Sequence, residues 1–272
     1  MTIDREGFLS ADISTWIEKH RKENREWFEL ASDLNRVAHQ QLALLKIPSE
    51  DSKAFTAALL FIRGLSNFQG AILTAERGMT LETGTLARSC FETVFYLGAL
   101  SKSPEFIETL IADDADRRGK IARSLVRLPE DSGLEPEHLE KLNRFLAGLE
   151  ESDIVAKSVG IFDAAARAGL KDIYNVFYRG LSNDSSHPSI TALNCHVESN
   201  HAGLVTGLKW GPDVNDVRYM LSAACTAGVY LVSFAIEIFK QNEIRVAFES
   251  CWATYKRLVE EQQRQAMAGG LQ

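Results

Sequence analysis

The sequence predicts an all-α protein, a single helical bundle of about eight to ten helices. Three observations predict it. Apolar residues recur at three- and four-residue spacing through long runs of the chain. The six prolines fall mostly at the edges of those runs, as expected where helices are long and strands scarce. No stretch shows sustained two-residue alternation with turn signals, so no convincing sheet is expected.

From Ile13 to Leu45 the apolar positions Ile13, Trp16, Ile17, Leu34, Val37, Leu42 and Leu45 keep helical spacing among polar residues, and Pro48 stops the run. A second helix is expected over 52–77, with Gly78 as its C-terminal cap. A third runs from about Leu81 to Leu100. Pro104 suits the first turn of a fourth, PEFIETLIADDADRRGKIARSLVRL, which is acidic early and basic late, as the helix dipole favours. The segment PEDSGLEP at 129–136 concentrates Pro, Gly, Asp and Ser and reads as a loop. Further helices are expected at about 136–151, 154–168, 170–181, 188–204, 214–240 and 243–265. Residues 1–50 are thus expected to form an N-terminal helical arm and 51–265 a helical bundle domain, with 266–272, AMAGGLQ, a frayed tail.

At 272 residues the chain is long enough to bury a sizeable core, and its 45% apolar and 25% charged residues are ordinary for a soluble protein. A net charge of -7 argues against a surface that grips nucleic acid all over, although it leaves room for a local basic groove. Cys90, Cys195, Cys225 and Cys251 are dispersed and lack CxxC spacing; they read as thiols of a reducing compartment, neither a disulfide framework nor a zinc site. The N-terminal residues have neither a basic nor an apolar leader region, so a cytoplasmic location is expected. Tyr219 to Ile236 runs without a formal charge, but its Ser, Thr, Gly and Ala content predicts a central buried helix and no membrane insertion.

Two polar islands stand out in this apolar pattern. In LARSCFETVFYLGAL, Arg88 and Glu92 lie one turn apart and can pair, as a salt bridge at the edge of the core or as part of a site. In YNVFYRGLSNDSSHPS, Tyr174, Phe177, Tyr178 and Leu181 share one helical face with Arg179 beside it. Ser182, Asn183, Asp184, Ser185 and Ser186 then break the helix. Pro188 opens the next helix and sets His187 at its N-cap, where the positive end of the dipole favours the neutral imidazole. Buried polar groups need partners, so Arg88 or Glu92 is expected within hydrogen-bonding reach of the 182–187 turn. Glu-x-x-His spacings at Glu135/His138 and Glu198/His201 fit a di-iron pattern, but the first straddles the Pro136 helix start. No metal site and no cofactor are predicted. The loops of nucleotide hydrolysis, dinucleotide binding, zinc proteolysis and esterase chemistry are absent from the sequence.

On RSCFE (Arg88 to Glu92) and YRGLSNDSSHPS (Tyr178 to Ser189), the chain resembles an uncharacterised bacterial family of helical proteins of unknown function. That family carries an Arg-Ser-x-x-Glu helix, a Tyr-rich helix and a Ser-x-x-x-His turn. The chain is more remotely similar to the HEPN superfamily, helical bundles that often dimerise and in many members cut RNA without metal through an Arg-x4-6-His motif. Arg179 and His187 here enclose seven residues, one more than that motif allows. Two readings follow. The first is a non-catalytic binding or regulatory module whose polar site comprises Arg88, Glu92, Tyr178, Ser182 and Ser186. The second, which the HEPN resemblance implies, is a metal-independent ribonuclease or toxin-like effector with His187 as acid/base and Arg179 on the phosphate. The resemblance also implies a homodimer, and an RNA or a protein as partner.

Overall fold

A computed structural model describes residues 3–48, 50–152, 154, 157–185, 189–200, 202–213 and 216–269. Among them the chain is helical nearly throughout. In order, the helices are α1 (Ile3–Glu6), α2 (Ile13–Glu23), α3 (Arg25–Ala43), α4 (Ser52–Ala75), α5 (Thr80–Lys102), α6 (Phe106–Val126), α7 (Pro136–Glu150), α8 (Ile161–Arg167), α9 (Lys171–Ile173), α10 (Arg179–Asp184), α11 (Ile190–Leu193), α12 (Val217–Phe239) and α13 (Asn242–Gly269). A π-helical turn, Tyr174–Tyr178, fuses α9 to α10.

Helix α12 is the axis around which α3, α4, α5 and α13 pack. It is long and apolar enough to cross a membrane, yet most of it is buried inside the bundle. Small residues allow the close approach. A Cβ on Gly228 would sit 2.8 Å from the Phe68 ring of α4, and one on Gly64 would sit 2.5 Å from Leu231. Phe61, Phe68, Phe91, Phe95, Leu221 and Leu231 fill the space between these helices at essentially zero exposure.

Local chemistry sets the ends of these helices. The Asp51 side chain caps α4 by accepting from Ala54 N at 2.8 Å, and Gly78, at φ 70°, turns the chain out after its last residues. Pro136 stands in the first turn of α7. The run expected as one helix from Ile13 to Leu45 instead divides at Asn24, which leaves helical geometry at φ -118° and ends the first half, its backbone N–H and side-chain amide both donating to His20 O, at 3.0 and 3.2 Å. Its second half does not stand apart, because Trp27, Phe28, Leu30 and Leu34 belong to the main core.

Three stretches depart from the expected helices. Residues 157–160 are not helical, because Lys157 N and Val159 N bond to Ala112 O and Asp113 Oδ1 of α6, at 3.3 and 2.8 Å, and not to their own chain segment. Of the helix expected over 188–204, the described residues keep an α-helical turn at Ile190–Leu193 and a 3-10 turn at Asn194–His196; a hairpin follows, β1 (Val197–Ser199) paired antiparallel with β2 (Val205–Leu208). Asn200 nucleates its turn, Oδ1 accepting from Ala202 N and Leu204 N at 3.0 Å each, and Gly203 takes φ 75°. At the C-terminal end, α13 carries its hydrogen-bond ladder through Gly269, into the stretch expected to fray.

Candidate functional site

Thr85, Arg88, Glu92 and Tyr96 follow one another at three- and four-residue spacing, so α5 carries them on one face. The helix made by α9, the π turn and α10 lies across that face. Its aromatic residues anchor it: Phe177 stacks on Phe91 at 5.8 Å between centroids, Tyr178 meets Phe95 edge-on at 5.8 Å, and Tyr174 stacks on Tyr178 at 5.1 Å. Each π turn inserts one residue relative to an α-helix, which shifts the register of the side chains that follow it. Beyond this one, Ser182 meets α5.

The polar contacts close a ring. Arg88 Nε donates to Ser182 Oγ at 2.8 Å and Arg88 Nη2 to the Tyr178 hydroxyl at 2.8 Å. That hydroxyl donates to Glu92 Oε1 at 2.8 Å, while Nη2 also lies 3.0 Å from the same carboxylate oxygen. Ser182 Oγ donates to Tyr178 O at 2.8 Å, and the guanidinium carbon sits 4.8 Å from the Tyr178 ring centroid. One turn earlier, Thr85 Oγ1 donates to Ser185 O at 2.9 Å. Gly84 makes that contact sterically feasible, since a Cβ there would collide with Ser185 Oγ.

Tyr178 is buried, whereas the Arg88 and Glu92 side chains keep 23% and 31% exposure, so the ring opens to solvent on its charged side. Burial, reinforced by the bond to Glu92 and by its charge, pushes the Tyr178 hydroxyl well above the ordinary tyrosine range against the opposing pull of Arg88. At neutral pH it is therefore a fixed neutral donor. Arg88 Nη1 and Glu92 Oε2 are without a hydrogen-bond partner among the described residues.

A second polar cluster lies one turn further along α5, among residues that the sequence does not single out. Arg117 of α6 donates to the Tyr96 hydroxyl at 3.3 Å and pairs with buried Asp113 at 2.7 Å. Burial raises the Tyr96 hydroxyl too. The readable signal was the Arg88, Glu92, Tyr96 series at four-residue intervals; nothing local in the sequence points to Arg117.

Of the other candidates, Arg179 is exposed and bonds to none of these residues. Ser186 and His187 lie outside the described residues, as does His201. Glu135 and His138 are exposed at the start of α7, and Glu198 is exposed on β1. The structure thus unites Arg88, Glu92, Tyr178 and Ser182 and leaves Arg179 apart.

Comparison with known proteins gives one finding. A family described as a family of unknown function, DUF5677, matches residues 54–203, just over half of the chain and a span that includes both polar islands. No curated protein and no solved structure matches.

Proposed function

We propose that this chain, which belongs to the DUF5677 family of unknown function, uses the Arg88, Glu92, Tyr178 and Ser182 ring as a non-catalytic binding site for a small ligand with an amide-like edge. One observation carries the reading: the Arg88 guanidinium is held by Tyr178 and Ser182, the Glu92 carboxylate by Tyr178 and Arg88, and each of these two partly exposed side chains keeps one polar atom unengaged among the described residues. Arg88 Nη1 donates and Glu92 Oε2 accepts. A carboxamide, a urea or the edge of a nucleobase offers the matching acceptor and donor. The groups of the ring are poorly suited to proton transfer at neutral pH, because the Tyr178 hydroxyl is held protonated and the carboxylate is paired.

Thermal-shift measurements with a panel of small amides, ureas and nucleobases test this. A ligand at a hundred times its Kd adds about 2.7 kcal/mol, a rise of several degrees. The rise is expected in wild type and absent in Glu92→Gln and Arg88→Lys. No shift with any member, or an equal shift in the variants, overturns the reading. The ribonuclease alternative places the chemistry on Arg179 and His187. Cleavage of RNA in the presence of a chelator, lost in Arg179→Ala and His187→Ala at unchanged melting temperature, would replace the binding reading with that one.

A further inference from the structure

Helix α6 carries a stripe whose middle the described residues leave exposed. Ala115, Gly119 and Ala122 face α7, and a Cβ on Gly119 would lie 3.3 Å from Leu149. On the neighbouring flank, Ile107, Ile111, Asp114, Arg118, Ile121 and Leu125 follow one another at alternating four- and three-residue steps, the spacing of a helix seam that meets another helix. Ile111 and Ile121 are 48% and 61% exposed, and the Asp114 and Arg118 side chains 65% and 61%. Ile107 and Leu125, at the two ends of the stripe, are partly buried, Ile107 against the edge of the core, so each offers only part of its side chain to a partner.

The stripe is a palindrome in shape and inverts in charge about its centre. About Asp116, Ile107 mirrors Leu125, Ile111 mirrors Ile121, and Asp114 mirrors Arg118. The charges of the whole helix follow the same centre: Glu105, Glu108, Asp113, Asp114 and Asp116 precede it or lie on it, and Arg117, Arg118, Lys120, Arg123 and Arg127 follow. The helix dipole explains charge bias only in the first and last turns, whereas Asp113 to Lys120 occupy the middle. Within the chain, the Asp114–Arg118 pair is 3.4 Å long and exposed, a geometry that contributes little stability.

We propose that this face of α6 docks against the same face of a second copy of the chain, antiparallel and related by a two-fold axis at Asp116. A two-fold contact requires a patch that complements itself, and this one does. In that register Ile111 packs on Ile121 of the second copy, Ile107 on Leu125, and Asp114 reaches Arg118 at two symmetric places. The acidic half of each helix then lies along the basic half of the other, which fixes the antiparallel direction and disfavours the parallel one. Phe145 of α7, 4.9 Å from the Arg118 guanidinium, borders the seam and widens it. A helix of 21 residues is about 31 Å long, and it needs such flanking contacts to approach the roughly 800 Å² per partner of a stable dimer.

Light scattering and sedimentation equilibrium on the full chain test this at about 0.1 M salt, over roughly two decades of concentration centred near ten micromolar. Wild type is expected at twice the chain mass of 30.3 kDa. Asp114→Arg sets arginine against arginine and is expected to return the chain mass; Ile121→Glu, at the apolar pair, should do the same. Combining Asp114→Arg with Arg118→Asp restores complementarity at both symmetric places, so the double variant is expected to recover the dimer. Circular dichroism confirms that each variant keeps its helices, and both single changes are at exposed positions. Wild type at the chain mass overturns the proposal. So do single variants that stay dimeric, and a folded double variant that stays monomeric.

Discussion

At the scale of single residues, the Tyr178 hydroxyl is the keystone of the polar ring, because it accepts from Arg88 and donates to Glu92 within a cage of aromatic rings. Tyr178→Phe keeps the cage and removes only the bridge. The expected cost is about 1–2 kcal/mol, since two charged groups each lose one partner while remaining near each other. Ser182→Ala removes the acceptor of Arg88 Nε and is expected to cost about 1 kcal/mol. Because both changes touch the same guanidinium, their effects should not add; urea denaturation of the two single variants and the double variant measures the coupling. Strict additivity would show that the ring is a set of independent surface contacts.

At the scale of elements, the ring exists because α10 rests directly on α5, and Gly84 is the point of closest approach. Gly84→Ala places a methyl group against Ser185 Oγ and Leu181, which is buried, so the two elements must separate. The expected loss is about 1–3 kcal/mol. Hydrogen exchange should report it as faster opening of 179–185 with α12 unchanged; uniform acceleration throughout the bundle would contradict local docking. The meeting of these elements was legible in sequence, because Arg88, Glu92 and Ser182 are polar positions in apolar helical surroundings and buried polar groups need one another. The long helices α4, α5 and α12 were legible too, from long apolar runs and the signals at their ends. The hairpin was not: residues 188–204 carry too few apolar positions to separate a short strand from a helix, and Asn200 and Gly203 decide the matter through turn geometry. The break at Asn24 depends on one side chain sharing the His20 carbonyl with its own backbone N–H, which spacing does not reveal.

At the scale of the whole molecule, three thiols tie the fold to pH. Cys90 of α5, Cys225 of α12 and Cys251 of α13 share one core. Burial pushes the Cys90 thiol up to about 12 and Cys251 up to about 11, and it raises Cys225 as well. In the unfolded chain these thiols lose their protons near pH 8.5, whereas the folded core keeps them. The folded state therefore binds more protons above that pH, so stability is intact below it and falls as pH rises toward the folded values. Tyr178, Tyr230 and Tyr255, also raised by burial, act with the same sign once the unfolded tyrosines begin to ionise near pH 10. Cys90 and Cys225, fully enclosed, each contribute roughly 1 kcal/mol per pH unit and Cys251 less, so the fold is expected to lose a few kcal/mol between about pH 9 and pH 11. Denaturation under reducing conditions at a series of pH values checks this: the free energy should be flat to about pH 8 and then decline, less steeply in Cys90→Ala and in Cys225→Ala. A free energy that stays flat through about pH 10 would mean that the thiols ionise in place, and that the centre of the bundle admits solvent.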